Sequence, residues 1–366
     1  MKASEIIAVL NDFAPPIYQE SYDNSGLQLG DANAEINTAL LTLDITEAVL
    51  EESMERGCQM IIAHHPIIFS GLKSLTGRNY VERIVMKAIK NDIVLFAAHT
   101  NLDNMREGVN AMICKKLGLK NTSILQPTKN TLRKLYTYAP ESTATAVREA
   151  LFAAGAGAIG NYSECSFSAS GTGTFKGNKD SNPTMGKAGG ARENVAEQKI
   201  EVLFPKENET QILKALFAAH DYETVAYEII SLENENAEIG AGMIGYLERP
   251  MEEMDFLKML KTKMQAACIR HTSLLHKPIQ KVALCGGSGS FLLNNALAAG
   301  ADVFITGDYK YHQFFDAEGR IVIADIGHYE SEQFTPELMQ MIIAKKLPNF
   351  ATLLSETKTN PVNYFF

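Results

Sequence analysis

Nitrogen- and oxygen-bearing side chains follow three apolar, strand-like segments of the 366-residue chain. They are His64 and His65 after "MIIA", His99 and Asp103 in the residues after "VLFAA", and His328, Glu330 and Glu332 after "VIADIG". In open parallel α/β sheets, ligands bind outside the carboxyl ends of the strands. The spacing therefore predicts that all three segments deliver their polar residues to one place, at one edge of a sheet.

Imidazole and carboxylate groups together favour a divalent metal site. They suit Zn²⁺, and ligation by nitrogen and oxygen also admits Mn²⁺, Fe²⁺, Co²⁺ or Ni²⁺. Five ligands exceed the three protein ligands that are typical of one catalytic zinc. We therefore predict two ions, roughly 3.5–4 Å apart. In this hypothesis one ion takes His64 and Asp103, the other takes His65 and His328, and Glu332 bridges them.

Pro66 suggests how two adjacent histidines could share one site. Successive side chains of a strand point to opposite faces, so a continuing strand would separate His64 from His65. Proline restricts the preceding residue and cannot donate to the sheet ladder, so we expect the strand to end here and the backbone to turn. The two rings can then diverge slightly and each serve one of two neighbouring ions.

Structural alternatives apply to several of these residues. For His99 alone, an orienting contact or a buried core histidine is favoured over a ligand. Glu330 is expected to be exposed or to lie behind the ligands. Lys310 and His312, in "TGDYKYH", either reach the site to bind phosphate or transfer a proton, or form the solvated first turn of a helix. For the whole set, the opposing interpretation is polar strand ends and helix N-caps, and no catalytic side chain is assigned.

Two glycine-containing segments are interpreted as structural. "CGGSGSF" resembles a phosphate-binding strand-to-helix turn but lacks the spacing of either nucleotide fingerprint. Tight packing is therefore the favoured role of Gly286, Gly287 and Gly289. Asp23 and Asn24, in "YDNSG", are typical of a turn, and no direct chemistry is expected from them.

The composition indicates a globular protein, with 46% hydrophobic and 21% charged residues. A net charge of −9 makes nucleic-acid binding a poor hypothesis. The five cysteines contain no C-x-x-C pair and are interpreted as reduced thiols of a cytoplasmic protein. The N-terminal "MKASEIIAVLNDFAPP" predicts an amphipathic helix rather than a signal peptide, and no segment is long enough to predict a membrane span.

The outer thirds of the chain alternate strand-like and helix-like segments. This order favours the α/β class, with mostly parallel sheets and helices on both faces. Residues 1–129 and 232–366 are predicted to form this domain, which is split in sequence and holds the metal-type ligands.

The middle of the chain predicts an inserted domain at residues 130–231. "ALFAA" occurs at residues 150–154 and again at 215–219, each time between two strand-like segments. Two βαβ units in tandem predict a ferredoxin-like α+β domain. Between them, "GTGTFKGNKDSNPTMGKAGGAREN" is predicted to be a long mobile loop. A small-molecule or phosphate cradle is the less favoured interpretation.

Five segments, in this order, resemble the NGG-one-interacting factor three family, whose members are described as GTP cyclohydrolase 1 type 2 homologues: "YDNSGLQLG", "AHHPIIF", "HTNLD", "TGDYKYH" and "GHYESE". The resemblance covers both outer thirds. It implies a dinuclear metal site built from His64, His65, Asp103, His328 and Glu332. It also implies a ring-shaped homohexamer with metals facing an internal cavity, and a PII-like or CutA-like insert.

Two functions agree with these features. The first is a metal-dependent hydrolase or cyclohydrolase acting on a nucleotide-like substrate, with two divalent ions activating water and stabilising developing charge. The second is a non-enzymatic metal-binding or regulatory protein whose insert senses a small ligand. Open coordination positions would favour the first, and ions saturated by protein ligands would favour the second.

Overall fold

The computed structural model describes residues 1–365, and the chain forms two compact units. One unit combines Met1–Pro127 with the stretch that begins at Ala237, and the other is Thr128–Asn236. The insert predicted at residues 130–231 falls inside the second unit. Among the described residues, no helix has both the length and the apolar character needed to cross a membrane.

The described residues contain fifteen strands and eleven α-helices, which confirms the α/β class. The strands are β1 (Gly26–Leu29), β2 (Thr38–Thr42), β3 (Met60–Ala63), β4 (Val94–Ala97), β5 (Lys120–Thr128), β6 (Leu132–Pro140), β7 (Ser166–Phe175), β8 (Glu193–Pro205), β9 (Tyr227–Leu232), β10 (Asn236–Met251), β11 (Arg270–His271), β12 (Ile279–Ser288), β13 (Val303–Gly307), β14 (Val322–Asp325) and β15 (Ala351–Leu354). The helices are α1 (Ala3–Phe13), α2 (Glu47–Glu55), α3 (Tyr80–Lys90), α4 (Thr100–Asp103), α5 (Val109–Leu117), α6 (Ala144–Ala153), α7 (Glu209–Ala219), α8 (Glu253–Lys263), α9 (Leu293–Ala298), α10 (His328–Glu332) and α11 (Thr335–Lys346).

The first sheet of the larger unit has the strand order β1-β4-β3-β2-β15. β15, β2, β3 and β4 run parallel, and β1 is antiparallel to β4 at one edge. Neighbouring residues of β3 enter different cores, because Ile61 packs with residues of α2 and α3 and Ile62 with residues of α1 and α11. With both faces covered, these strands are continuous apolar runs without a polar alternation.

The second sheet has the order β11-β14-β13-β12-β10-β5. β12, β13 and β14 run parallel, whereas β10 and β11 are antiparallel to β12 and β14. Phe304 faces α9 on one side of the sheet. On the other side, Leu284 and Ile305 enter a core that also contains Ile62 and Phe96 of the first sheet. One hydrophobic core therefore holds the two sheets together.

The prediction that the ligand-bearing strands share one sheet edge is wrong. β3 and β4 belong to the first sheet, and β14 belongs to the second. The local alternation of strands and helices predicts crossover connections, but it does not state which strands become neighbours. The common core brings the carboxyl ends of these strands together from two sheets.

The smaller unit has the element order β-α-β-β-α-β. Its strands form one antiparallel sheet in the order β7-β8-β6-β9. Leu151 of α6 and Leu216 of α7 are both fully buried in one core with Leu135 and Val202 of the sheet. The two copies of "ALFAA" thus supply equivalent core positions.

The connection predicted to be a long loop begins later than expected, which corrects the sequence interpretation. Residues 171–175 continue β7 and pair with residues 193–197 of β8. A Cβ at Gly173 would lie 1.8 Å from Oε2 of Glu197. Glycine therefore leaves the space on β7 that the carboxylate of Glu197 occupies. Residues 176–192 make the connection between the two strands.

Glu52 of α2 fixes the segment that follows β15. Its carboxylate accepts hydrogen bonds from the Ser355 hydroxyl at 2.6 Å, the Glu356 amide at 2.9 Å and the Thr357 hydroxyl at 2.7 Å. Arg56 donates a further bond at 2.6 Å. Burial would raise the pKa of Glu52, but these donors lower it to about 2.

Glu52→Gln is expected to destabilise the larger unit by roughly 2 kcal/mol at pH 7, because hydrogen bonds to a charged acceptor are lost. The pKa of Glu52 is lowered on folding, so its contribution is complete above about pH 4.3, the usual glutamate pKa, and is lost as the pH falls towards 2. Denaturant unfolding at pH 7 and pH 3 should show the difference from wild type shrinking at pH 3. The neighbour variant Glu51→Gln, which loses only an exposed ion pair with Lys87, should stay within about 0.5 kcal/mol of wild type at both pH values.

Candidate metal centre

His64 and His65 follow the last residue of β3, and both rings face the same site. The backbone remains paired to the end of β2, because the His64 and His65 amides donate to Thr42 and Leu43 at 3.3 and 2.9 Å. The chain bends here, and the ring centroids lie 4.8 Å apart with their planes tilted by 46°. The histidines therefore remain neighbours in space, and the strand ends before Pro66.

Glu332 faces three histidines from two segments, the end of β3 and α10. Its Oε2 lies 3.0 Å from His65 Nε2 and 3.1 Å from His328 Nε2. Its Oε1 lies 3.8 Å from His64 Nε2. His328 and Glu332 are four residues apart on α10, a spacing that puts both on one face of a helical turn. The two oxygens of one carboxylate are thus directed at different imidazoles.

Asp103 completes the group from the end of α4. Its Oδ1 lies 3.5 Å from His64 Nε2. Both atoms are buried and have no hydrogen-bond partner among the described residues. An unpaired buried polar atom is costly, and a cation between these two atoms would satisfy both. The residues therefore fit a metal ion.

The five residues fall into two overlapping groups of donors, which are His64, Asp103 and Glu332, and His65, His328 and Glu332. A third group adds His99 to His64 and His65, so His99 also lies within reach of an ion at this site. Within each group the ligand atoms lie within 4.8 Å of one another. All donors are nitrogen or oxygen, which suits borderline and harder divalent ions.

Each imidazole is held by a hydrogen bond from its other ring nitrogen. Nδ1 of His65 lies 2.7 Å from Asp44, Nδ1 of His328 lies 2.7 Å from Asp308, and Nδ1 of His64 lies 2.8 Å from the Ala98 carbonyl oxygen. A proton on Nδ1 leaves Nε2 as the acceptor that faces the centre. Such partners fix the ring orientation of a metal ligand and raise its basicity.

Sequence reasoning missed Asp44 and Asp308. Asp44 follows β2 in "TLDI", and Asp308 follows β13 in "TGDY". Both lie within two residues of the end of a strand that leads to the site, so the criterion that found the ligands applies to them too. Only the structure shows that their carboxylates contact histidines and do not enter the donor groups.

His99 also points its Nε2 side towards the cluster. Its ring centroid lies 5.3 Å from that of His64 and 5.4 Å from that of His65. Its Nδ1 lies 2.7 Å from Asp23, which also accepts hydrogen bonds from the backbone amide and hydroxyl of Thr100. Asp23, for which no direct chemistry is predicted, is thus in no donor group but orients a histidine of the site.

The charges of the cluster depend on one another. Burial lowers the pKa of His65, but the carboxylates of Asp44 and Glu332 raise it to about 10. Burial lowers the pKa of His328, but Glu332 raises it to about 9. Burial and the charge of Glu332 raise the pKa of Asp103 to about 8. Burial would raise the pKa of Glu332, but its histidine partners hold it well below the usual range. The cluster attracts cations, and metal binding would compete with protons.

The other predicted residues lie apart from the donor groups. Lys310 and His312 are exposed at the start of a 3₁₀ helix, Tyr311–Ala317, which agrees with the interpretation as the solvated first turn of a helix, and His312 stacks with Phe315. Glu330 is predicted to be exposed or to lie behind the ligands. It is 5% exposed, is in no donor group and accepts a hydrogen bond from Asn360 at 3.1 Å, which agrees with the second placement.

Gly287 of β12 lies against the shared carboxylate. Its φ is +62°, and a Cβ there would lie 2.4 Å from Oε1 of Glu332. Glycine therefore permits both the backbone conformation and the position of the carboxylate. This agrees with the interpretation of the "CGGSGSF" glycines as packing positions.

The cluster is unevenly exposed. His64 and Glu332 have side-chain exposures of 0% and 3%, whereas Asp103, His65 and His328 have 22%, 21% and 38%. His65 and His328 line a cavity of about 920 Å³. A molecule in this cavity would meet the His65 and His328 end of the cluster.

Comparison with known proteins gives the family. The family model described as Duf34/NIF3 (NGG1p interacting factor 3) matches residues 1–361. The chain belongs to this family. The resemblance found in the sequence is therefore confirmed.

Relatives of this Duf34/NIF3 chain match it along nearly its full length. A protein of Halalkalibacterium halodurans named GTP cyclohydrolase 1 type 2 homolog is 38% identical, with 98% of each chain covered. A Bacillus subtilis protein of the same name is 37% identical over 100% of this chain and 99% of its own. The crystal structure of a Bacillus cereus protein related to NIF3 aligns with a TM-score of 0.87 at 36% identity, covering 100% of this chain and 99% of that one.

Gly287→Ala is expected to weaken metal binding, because the new methyl group displaces the Glu332 carboxylate. Gly300→Ala is the matched control. Gly300 has a φ of +69°, and no described atom lies within 4 Å of its Cβ position. Both variants should lose roughly 1 kcal/mol of stability from backbone strain. Competition with a chelator should show reduced metal affinity only for Gly287→Ala, and equal affinities in the two variants would contradict the role of Gly287.

Proposed function

We propose that the chain is a dinuclear divalent-metal protein that hydrolyses a nucleotide-like substrate. The observation that carries this proposal is the sharing of Glu332 between two donor groups. His64 and Asp103 would hold one ion, His65 and His328 the other, and Glu332 would bridge them. Zinc is the first choice, and Mn²⁺, Fe²⁺, Co²⁺ or Ni²⁺ would also suit these donors.

The geometry supports two ions over one. The ligand atoms of His64 and Asp103 lie on the buried side of Glu332, and those of His65 and His328 lie on its open side. With three protein ligands for each ion, counting Glu332 twice, positions remain for water or substrate. That count is typical of catalytic sites.

The side chains have distinct tasks in this proposal. When bound, the metal pair supplies an activated water and stabilises charge that develops on the substrate. Asp44 and Asp308 hold the protons on Nδ1 of His65 and His328, so that both Nε2 atoms stay directed at the centre. His99, oriented by Asp23, presents Nε2 beside the two adjacent histidines and can accept a proton from a molecule in the cavity.

The relatives named GTP cyclohydrolase 1 type 2 homolog support a purine nucleotide as the first substrate to test. A cavity of about 920 Å³ lies within the usual size range of small-molecule sites. Cyclohydrolase chemistry on GTP would place an electrophilic ring carbon next to the metal pair.

Metal analysis and turnover of a nucleotide panel test the proposal together. Wild-type protein is expected to hold two ions per chain. Glu332→Gln should lose metal and reduce turnover by more than roughly 10- to 100-fold. That range is typical when a residue that hydrogen-bonds to a metal ligand is replaced. Glu337→Gln removes a half-exposed carboxylate of α11 that pairs with Lys116, and it should retain both metal and turnover. Turnover that survives Glu332→Gln would refute the catalytic proposal.

A regulatory, non-enzymatic protein is the second candidate. The observation that favours it is a cavity of about 780 Å³ in the smaller unit, lined by Tyr138, Phe175, Glu197, Lys199 and Tyr222 among others. We propose that this unit is a ferredoxin-like, PII-like domain, in keeping with its β-α-β-β-α-β order and strand arrangement. Full metal content without turnover of any nucleotide would favour this function.

Removal of residues 130–231 tests the domain boundary. The chain enters β6 at Leu132 directly opposite Leu232 of β9, so it enters and leaves the insert at neighbouring points, and a short glycine linker can join residues 129 and 232. The remaining chain is expected to keep both metal ions, because all five proposed ligands lie outside the deletion. Loss of metal from a folded deletion variant would show that the boundary is wrong.

The homohexameric ring is also a proposal, supported only by the family resemblance. Light scattering of the purified protein would give its mass in solution and decide between a hexamer and a smaller assembly.

A further inference from the structure

The cavity beside the metal cluster has walls of different chemistry. His65, His99 and His328 line one part, and Phe69 and Tyr364 supply aromatic surface. Among the described residues that line this cavity there is one arginine, Arg270, and no lysine. A planar ring can therefore contact aromatic side chains while an attached group reaches a guanidinium.

The acidic residues of the cavity are already engaged with other groups. Their partners are His65 and Thr359 for Asp44, His328 for Asp308, Arg270 with the Tyr309 and Gly327 amides for Asp325, and Asn360 for Glu330. Hydrogen bonds and ion pairs offset the repulsion that bare carboxylates would exert on an anion. The acidic lining does not exclude an anionic ligand.

Arg270 is held in place by one of its terminal nitrogens. It belongs to β11, whose register with β14 puts it opposite Asp325. Its Nη2 donates to the Asp325 carboxylate and, at 2.8 Å, to the Tyr309 carbonyl oxygen. The guanidinium carbon lies 5.5 Å from the centroid of the Phe314 ring. Nε and Nη1 have no hydrogen-bond partner in the part of the chain that the structure describes.

Arg270 is thus held in position by Nη2, while Nε and Nη1 remain available to a ligand. Its side chain is 57% exposed, whereas that of Asp325 is 3% exposed. A guanidinium presents its donors in a rigid fork that matches two phosphate oxygens. The Asp325 carboxylate also accepts from the amide of Gly327, the residue before His328, at 2.9 Å. Arg270 is therefore connected, through one carboxylate, to the helix that carries two proposed metal ligands.

We propose that Arg270 binds the phosphate of the substrate and so determines specificity for a nucleotide over a nucleoside. This inference rests on the proposed function, since it assigns a residue to the substrate of the same site. It also moves the phosphate contact away from Lys310, which is exposed and lies outside the described lining of the cavity.

Equilibrium binding of GMP and guanosine to metal-loaded protein isolates the phosphate contribution, because the two probes differ only in that group. Wild type is expected to prefer GMP by about 10- to 100-fold, the value of a charge-assisted contact. Arg270→Gln should reduce the preference to within about threefold. Lys310→Gln, the matched control, should keep the wild-type preference.

Loss of the Asp325 ion pair could unfold Arg270→Gln, so Arg270→Lys is the second variant. Lysine keeps the positive charge beside Asp325 but cannot present a planar fork, and it should give an intermediate preference. Thermal unfolding and metal content of each variant show whether the site is intact. A wild-type preference in folded, metal-loaded Arg270→Gln or Arg270→Lys would overturn the proposal, as would equal binding of GMP and guanosine by wild type.

The outcome separates this inference from the hydrolase proposal. If nucleotide turnover depends on Glu332 but the GMP preference does not depend on Arg270, the phosphate role is refuted and the hydrolase stands. If the GMP preference depends on Arg270 in a protein that turns over no nucleotide, the hydrolase is refuted and the phosphate role stands.

Discussion

One buried carboxylate, Glu332, is the constraint on which the site depends. An isolated charge in a protein interior is strongly unfavourable, and it persists only when donors or cations surround it. Here the donors are imidazoles from the end of β3 and from α10. The two sheets must therefore meet at this point, and the core that contains Ile62 of one and Ile305 of the other makes them meet. Gly287 then leaves the space that the carboxylate needs.

Orientation of the imidazoles comes from residues that would not themselves bind a metal. Three of the four histidine rings near the centre donate to a carboxylate, and His64 donates to a backbone oxygen. These bonds decide which nitrogen faces inward. One of the carboxylates, Asp44, also accepts from Thr359 of the segment beyond β15 at 2.6 Å. Glu52 anchors the same segment, so the end of the described chain is part of the support of the site.

Much of the secondary structure in the outer thirds of the chain could be predicted because it depends on local hydrophobic patterns. Apolar runs gave the buried strands, and the amphipathic pattern of α3, with Ile84, Val85 and Ala88 buried, is typical of a helix. The polar residues after strands gave the donor set, because strand ends and site residues coincide in α/β folds. In the insert, the repeated "ALFAA" marked two helices whose Leu151 and Leu216 occupy equivalent core positions.

The rest could not be predicted because it depends on pairings between distant segments. No local pattern states that β3 and β14 belong to different sheets, or that Asp23 lies beside His99, 76 residues later. Gly171 and Gly173 suggested a loop, yet pairing with β8 holds them in a strand. Lys310 looked suited to phosphate because it follows a strand of the site, whereas Arg270 belongs to a two-residue strand with no visible pattern.

The unequal exposure of the two donor groups has a chemical consequence. The facing atoms of His64 and Asp103 are buried, so an ion between them would have little contact with solvent, although the Asp103 side chain as a whole is 22% exposed. His65 and His328 border the cavity, so an ion there would be the one that meets an incoming molecule. Glu332 connects the two environments. If two ions bind here, the one held by His64 and Asp103 would add charge and rigidity, and the one held by His65 and His328 would be able to contact substrate. This division of roles suits hydrolysis better than storage, since storage gains nothing from one accessible position next to a cavity large enough for a nucleotide.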